Sequence, residues 1–253
     1  MSLNVVVYSP CWNEAVLLPF FLRHYGRFAR TINLLDNGST DRSHDIIGEF
    51  RRRRPDVTVN VRPLDSAGQT REDYIINFKN HAWKECAGQP VDWVVIADVD
   101  EFAYHENLPA ELRRLRRHGY TALMGVGYEM IAQHPPRPND PAELTSLIKR
   151  GRFSADYSKC IAFDPNQITA INYHPGAHVC TPGGNVRIHH DQSFKLLHYK
   201  TLGYEYYIGR VRQLRERRSE VNRRNGWGVQ YDYDDAFHHD WFDELEREGV
   251  ELI

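Results

Sequence analysis

Asp92-Trp93-Val94-Val95-Ile96-Ala97-Asp98-Val99-Asp100-Glu101-Phe102 is the stretch that decides the fold. Residues 92 to 97 form a short apolar run rich in β-branched side chains, which reads as a strand buried on both faces. Two carboxylates two residues apart follow at once, Asp98 and Asp100. At a strand end they can jointly face a divalent cation and a diphosphate, because hard oxygen ligands suit Mg2+ or Mn2+. A solvated acidic turn is the plainer alternative for such a short motif.

Working outward, the same rhythm repeats. Asn4 to Tyr8 reads as a strand that stops at Ser9-Pro10, and Ala15 to Phe28 as an amphipathic helix with Leu18, Phe21, Leu22, Tyr25 and Phe28 on one face. Thr31 to Leu35 is a second strand, followed by a helix from Asp41 or Ser43 to about Arg54. Val57 to Val61 is a third strand, and Arg71 to Cys86 a helix. Leu108 to His118 reads as helix and Thr121 to Ile131 as strand. Alternation of this kind implies parallel βαβ units, with ligands bound beyond the carboxyl ends of the strands. Polar residues gather at three such ends: Pro10 to Glu14, Asp36 to Asp41 and Asp98 to Glu101.

The second half is less regular. Gln133 to Pro141 carries four prolines and reads as a loop. Strand-like runs cover Lys159 to Phe163, Ile168 to Asn172 and Phe194 to Tyr199, and a helix is expected from Tyr204 to Asn225. Its arginines, among them Arg210, Arg212, Arg217 and Arg218, read as a solvated face, with docking to anionic lipid as a lesser alternative. Asp232 to Glu251 reads as an acidic tail.

Composition bounds the function. The chain has 253 residues, 41% apolar and 26% charged, which is ordinary globular usage. Its net charge of −2 argues against a nucleic-acid partner. No apolar run approaches the roughly 20 residues that span a bilayer. Cys11, Cys86, Cys160 and Cys180 are scattered without metal-ligand spacing, and the N-terminus lacks a basic leader segment. A reduced, cytoplasmic protein is expected.

Three segments in order, Pro10-Cys11-Trp12-Asn13-Glu14, Asp36-Asn37-Gly38-Ser39-Thr40-Asp41 and Asp98-Val99-Asp100-Glu101-Phe102, resemble family 2 glycosyltransferases over about residues 4 to 104. Downstream the likeness thins to points such as His174-Pro175-Gly176-Ala177-His178 and Leu196-Leu197-His198-Tyr199-Lys200-Thr201. The resemblance implies a GT-A α/β fold in one domain. Residues 1–104 would bind the nucleotide sugar, 105–203 would bind the acceptor, and 204–253 would form a helical segment and tail. It also implies a Mn2+ or Mg2+ cofactor. A sugar would pass from a nucleotide diphosphate donor, UDP by frequency, to a glycan, lipid-linked or small-molecule acceptor, with inversion. Carried over, Pro10, Asn13 and Glu14 would line the nucleoside pocket, and Asp36 would contact base or ribose beside Asn37 and Ser39. Asp98 would lie near ribose and metal, and Asp100 would ligate the metal. Arg71 and Asn80 occupy the place of donor-contacting side chains, and His198 that of a further metal ligand.

Lys200 and Lys159 could each pair with the diphosphate, although a surface lysine is the plainer reading of both. An inverting transfer needs a carboxylate within reach of the acceptor hydroxyl. The Glu-Asp pair expected of the family is absent. Asp191 is preferred because it precedes the strand of His198, followed by Glu129 and then Asp156. Two other functions compete. One is a phosphatase or phosphotransferase with Asp98 as nucleophile, which leaves Asp36 to Asp41 unexplained. The other is a non-catalytic nucleotide-sugar-binding module, against which the intact Asp98 and Asp100 argue.

Overall fold

The structure, a computed structural model, describes residues 3–253. In chain order the strands and helices begin with β1 (Val5–Cys11), α1 (Leu18–Gly26), β2 (Ala29–Asp36), α2 (Ser43–Arg53), β3 (Thr58–Pro63) and α3 (Glu72–His81). Next come β4 (Trp93–Ile96), β5 (Glu101–Tyr104), α4 (Leu108–Arg117), β6 (Ala122–Ala132), α5 (Leu144–Leu147), β7 (Arg150–Phe153) and β8 (Cys160–Phe163). The chain ends with β9 (Ile168–Ala170), β10 (Gly183–Gly184), β11 (Ile188–Leu202), α6 (Tyr204–Arg217), α7 (Glu220–Arg224), α8 (Asp235–Glu248) and β12 (Val250–Glu251). Short 3-10 turns cover Ala82–Cys86, Ala155–Tyr157 and Val229–Asp232.

A mixed ten-stranded sheet forms the centre, in the order β12-β7-β6-β8-β4-β1-β2-β3, with β11 on β6 and β5 on β11. β3-β2-β1-β4 pair in parallel, as do β6 and β11. Of the first four strands, β1 and β4 are buried on both faces, as their apolar runs require, whereas the edge strand β3 buries only Val59. Val5 and Val7 pack with Phe21, Leu22 and Tyr25 of α1, whereas Val6 and Tyr8 pack with Phe78 and Trp83 on the opposite side. Among the described residues no helix is long and apolar enough to cross a membrane.

Several boundaries differ from expectation, each for a physical reason. β1 runs through Pro10 to Cys11 instead of stopping at Ser9. β4 pairs with it only as far as Tyr8, so the missing N–H of Pro10 faces a side with no ladder left to fill. β5 follows the Asp98–Asp100 turn directly and pairs antiparallel with β11. β11 extends well before the expected Phe194 because it follows β6 from Ala122 to Ala132. The expected helix over 204–225 breaks at Arg218 and Ser219. There Thr70 N–H donates to the Arg217 carbonyl at 2.7 Å, and Ser219 caps α7 through the Asn222 N–H at 3.2 Å. The acidic stretch is no tail. It folds as α8, whose Phe242 and Leu245 pack with Ile131, Tyr207, Ile208 and Val211.

Candidate active site

The carboxyl ends of β1 and β4 open onto a cavity of about 450 Å3, at the point where the strand order reverses. Each wall comes from a different segment. Pro10, Trp12 and Glu14 follow β1, Asn37 follows β2, and Asp98 and Asp100 follow β4. His198 and Lys200 come from β11, and Arg210 and Arg217 from α6.

The Asp98–Asp100 turn is held from below. Glu101 Oε2 accepts the Asp98 N–H at 2.9 Å, and the Glu101 N–H donates to the Asp98 carbonyl at 2.9 Å. Lys159 Nζ donates to both Glu101 oxygens, at 2.7 and 2.8 Å, with both side chains almost wholly buried. Lys159 is therefore neither a diphosphate ligand nor a surface residue; it neutralises the carboxylate that shapes the turn. Burial raises the Glu101 carboxyl, but Lys159 and Lys79 outweigh it and hold the group below its usual range. Lys79, on α3, also reaches Asp98 at 2.7 Å. That buried lysine was not anticipated, since nothing near it in sequence marks a partner.

Asp100 faces His198, Oδ2 to Nε2 3.4 Å. Burial pushes the Asp100 carboxyl up, yet His198, Lys200 and Arg210 hold it well below the ordinary value. Burial pulls the imidazole down, and Asp100 with Glu129 and Glu101 lifts it above its usual pKa. The Tyr157 ring lies 4.0 Å from that imidazole, whose Nδ1 is buried without a hydrogen-bond partner among the described residues. A carboxylate beside an imidazole is a donor pair that fits Mn2+ better than Mg2+, which prefers an all-oxygen shell. Among the described residues no cluster of three or more His, Cys, Asp or Glu could hold a metal ion.

The nucleoside-side residues divide into walls and staples. Pro10, Glu14 and Asn37 line the cavity; Asn13, Ser39 and Asp36 are not among its lining residues. Asn13, in the left-handed region at φ 50°, accepts the Thr40 N–H at 2.7 Å and gives its own N–H to Ser39 Oγ at 2.9 Å. Asp36 is buried, accepts the Ser39 N–H at 3.2 Å and lies 3.2 Å from His44 Nε2. These three shape the loops that carry the walls. Arg71 is engaged elsewhere, paired with Asp73 at 2.6 Å and stacked on Tyr74, and Asn80 exchanges hydrogen bonds with the Tyr173 backbone. Neither lines the cavity.

The arginine helix is the main correction. Arg210 is ion-paired with Glu14 and donates to the Asn13 carbonyl at 3.1 Å. Arg217 stacks on Trp12 at 3.6 Å and donates to the Asn37 carbonyl at 2.9 Å. Arg218 is buried against Asp232. These side chains face inward because the 204–217 helix lies over the cavity. The exposed Arg212, Arg223 and Arg224 pair with Asp235, Asp232 and Glu220.

Of the carboxylates considered as base, Asp191 sits exposed near the start of β11, accepts the Ser193 N–H at 2.7 Å and lines neither cavity. The longer β11 is the reason, since it keeps the chain extended between Asp191 and His198 and so carries Asp191 along the strand away from that residue. Glu129 is the cross-strand partner of His198, accepts from Thr201 Oγ1 at 3.2 Å, and is pushed above the usual carboxylate range by burial. With Asp156 it lines a second cavity of about 330 Å3, which shares Tyr157, His178, Lys200, Gln230 and Tyr231 with the first.

The family model described as glycosyl transferase family 2 matches residues 6–168. The chain belongs to glycosyl transferase family 2. The match ends before β11, α6, α7 and α8, so this member's His198, Lys200 and inward arginines lie outside it. No curated protein matches significantly. Among solved structures the chain is similar to S. aureus TarS 1-349, with 12% identity, 85% of this chain and 64% of that one covered, and a TM-score of 0.45. It is also similar to the mannosyltransferase PcManGT from Pyrobaculum calidifontis in complex with GDP-Man and Mn2+, with 14% identity, 83% and 61% coverage, and a TM-score of 0.46. A third is the glucosyl-3-phosphoglycerate synthase from Mycobacterium tuberculosis, with 14% identity, 85% and 79% coverage, and a TM-score of 0.43. The chain spans 39% of the longer S. aureus TarS chain.

Proposed function

We propose that this family 2 member is a metal-dependent GT-A glycosyltransferase, moving a sugar from a nucleoside diphosphate sugar to an acceptor hydroxyl with inversion. The observation that carries it is the Asp100–His198 pair in a cavity flanked by Lys79, Lys200, Arg210 and Arg217. Asp100 and His198 suit a cation, and Lys200 and Arg217, which make no ion pair among the described residues, suit an anionic diphosphate beside it. Asp100 and His198 would hold the ion, which when bound neutralises charge on the diphosphate leaving group. Pro10, Trp12 and Asn37 would line the nucleoside, and Asp36, Asn13 and Ser39 would hold those walls in register. Asp98 would orient the donor from its ion pair with Lys79. Residues 6–168 would supply most of the donor side, and the later elements the acceptor side. UDP is the nucleotide we favour by frequency.

Glu129 is the base we assign. Its carboxylate lies one strand over from His198 and lines the second cavity, and a raised pKa brings it closer to the operating pH of a proton acceptor. Phosphoryl transfer through Asp98 is disfavoured, because Lys79 engages that carboxylate. Calorimetric titration with UDP, GDP, dTDP and CDP, with and without Mn2+, tests the donor site. One nucleotide should bind in a Mn2+-dependent manner, and failure of all four would remove the proposal.

A further inference from the structure

The second cavity has a composition of its own. Its outer wall is Tyr207 of α6, the Val229–Asp232 turn, and Phe237, His238 and Trp241 of α8. All of these lie beyond the family match, so they are features of this chain and not of the shared donor half. The Trp241 and Tyr207 rings are tilted 31° to each other with centroids 5.5 Å apart. Tyr233 and Phe237, in contact at 4.5 Å, are both well exposed at the lining. Aromatic side chains exposed at a cavity signal a ligand with an apolar face.

That ligand is not purely apolar. Glu129, Lys200 and Gln230 line the same space, and the buried His238 turns Nδ1 to Tyr207 Oη at 2.8 Å while its Nε2 has no hydrogen-bond partner among the described residues. An aliphatic ligand would strip these groups of water and leave them unpaired, at about 1–3 kcal/mol each. Nor does an anionic ligand fit. Glu129 and Asp156 set two carboxylates against the single ammonium of Lys200, and burial lowers the pKa of both His178 and His238. What remains is a neutral molecule that offers an apolar face and a rim of hydroxyls, within a volume at the lower end of ordinary ligand pockets.

We propose that this cavity seats a pyranose ring of a neutral carbohydrate acceptor on Trp241, with any further sugar units leaving past Tyr233 and Phe237. The inference rests on the glycosyl-transfer reading and adds the acceptor class. It places an acceptor hydroxyl beside Glu129, facing the donor cavity across the residues the two cavities share, Tyr157, His178, Lys200, Gln230 and Tyr231.

Saturation-transfer NMR tests it, with the protein alone and with Mn2+ and UDP or GDP. The probes are methyl glycosides of common neutral hexoses and N-acetylhexosamines, the matching disaccharides, and glycerol 3-phosphate as an anionic control. At least one neutral glycoside should take up saturation on its ring protons. Trp241→Ala should weaken it about tenfold, and Trp241→Phe should restore most of the affinity. Unchanged glycoside binding in Trp241→Ala, saturation of glycerol 3-phosphate alone, or no saturation of any probe overturns the inference. Nucleotide binding is titrated in the same samples. Its loss with glycoside binding intact counts against the donor-site reading, and the reverse pattern counts against the acceptor inference alone.

Discussion

Lys159 and Glu101 should behave as one unit. Their side chains are 2% and 3% exposed, and both carboxylate oxygens lie within 2.8 Å of the ammonium. Removing one partner leaves the other charge buried and unpaired, which typically costs about 3–5 kcal/mol. Lys159→Met and Glu101→Gln should therefore each lose stability in that range, a large share of the roughly 5–15 kcal/mol available to a domain. Lys159→Met/Glu101→Gln leaves no buried charge at either position, so its loss should fall short of the sum by about 2 kcal/mol or more. Urea unfolding followed by circular dichroism at pH 7 measures all three. Glu101→Gln should also weaken Mn2+-dependent nucleotide binding, because Glu101 Oε2 fixes the Asp98 N–H. Additive losses, or single variants within about 0.5 kcal/mol of the parent, would refute the argument and place both groups in contact with water.

Acid should destabilise the fold through His24. Its Nε2 meets the Ala103 carbonyl at 2.9 Å, and burial pulls its pKa from 6.5 to about 4. The unfolded chain thus binds the proton first as pH falls below 6.5, and about 2 kcal/mol should be lost between pH 7 and pH 5; thermal melts of His24→Gln should show a flatter acid limb. Arg217→Ala uncovers Trp12 and releases the Asn37 carbonyl, so the dissociation constant for the nucleoside diphosphate should rise about tenfold by calorimetry. Glu129→Gln should lower the turnover number by roughly 10²–10⁴-fold with nucleotide binding kept, whereas Asp191→Asn should turn over normally. The opposite ranking in a product-release assay would return the base to Asp191.

The donor half was legible because its signals are local. Trp93 to Ile96 are all buried, and such a run needs no distant information to be read as a central strand; the two carboxylates after it then fall at a known edge. Pairing across the fold was not legible. Lys159 and Glu101 are 58 residues apart, and Arg210 and Glu14 are 196 apart, so charged side chains that look solvated in sequence turn out to neutralise each other in the interior. A strand beginning near Phe194 makes Asp191 look adjacent to the site; β11 begins at Ile188 and carries that residue along the strand away from the cavities. α8 was hidden by its acidic composition, although Phe237, Trp241, Phe242 and Leu245 recur at helical spacing and could have revealed it.

The most direct measurement is nucleoside diphosphate release from UDP-, GDP-, dTDP- and CDP-sugars, with Mn2+ and a panel of neutral glycosides, in the parent chain and in Asp100→Ala. The account predicts release from at least one donor that increases when an acceptor glycoside is added, stops on chelation, and is abolished in Asp100→Ala while the thermal melt is preserved. Release that survives both chelation and Asp100→Ala, or hydrolysis of simple phosphate esters with no turnover of any nucleotide sugar, would contradict it.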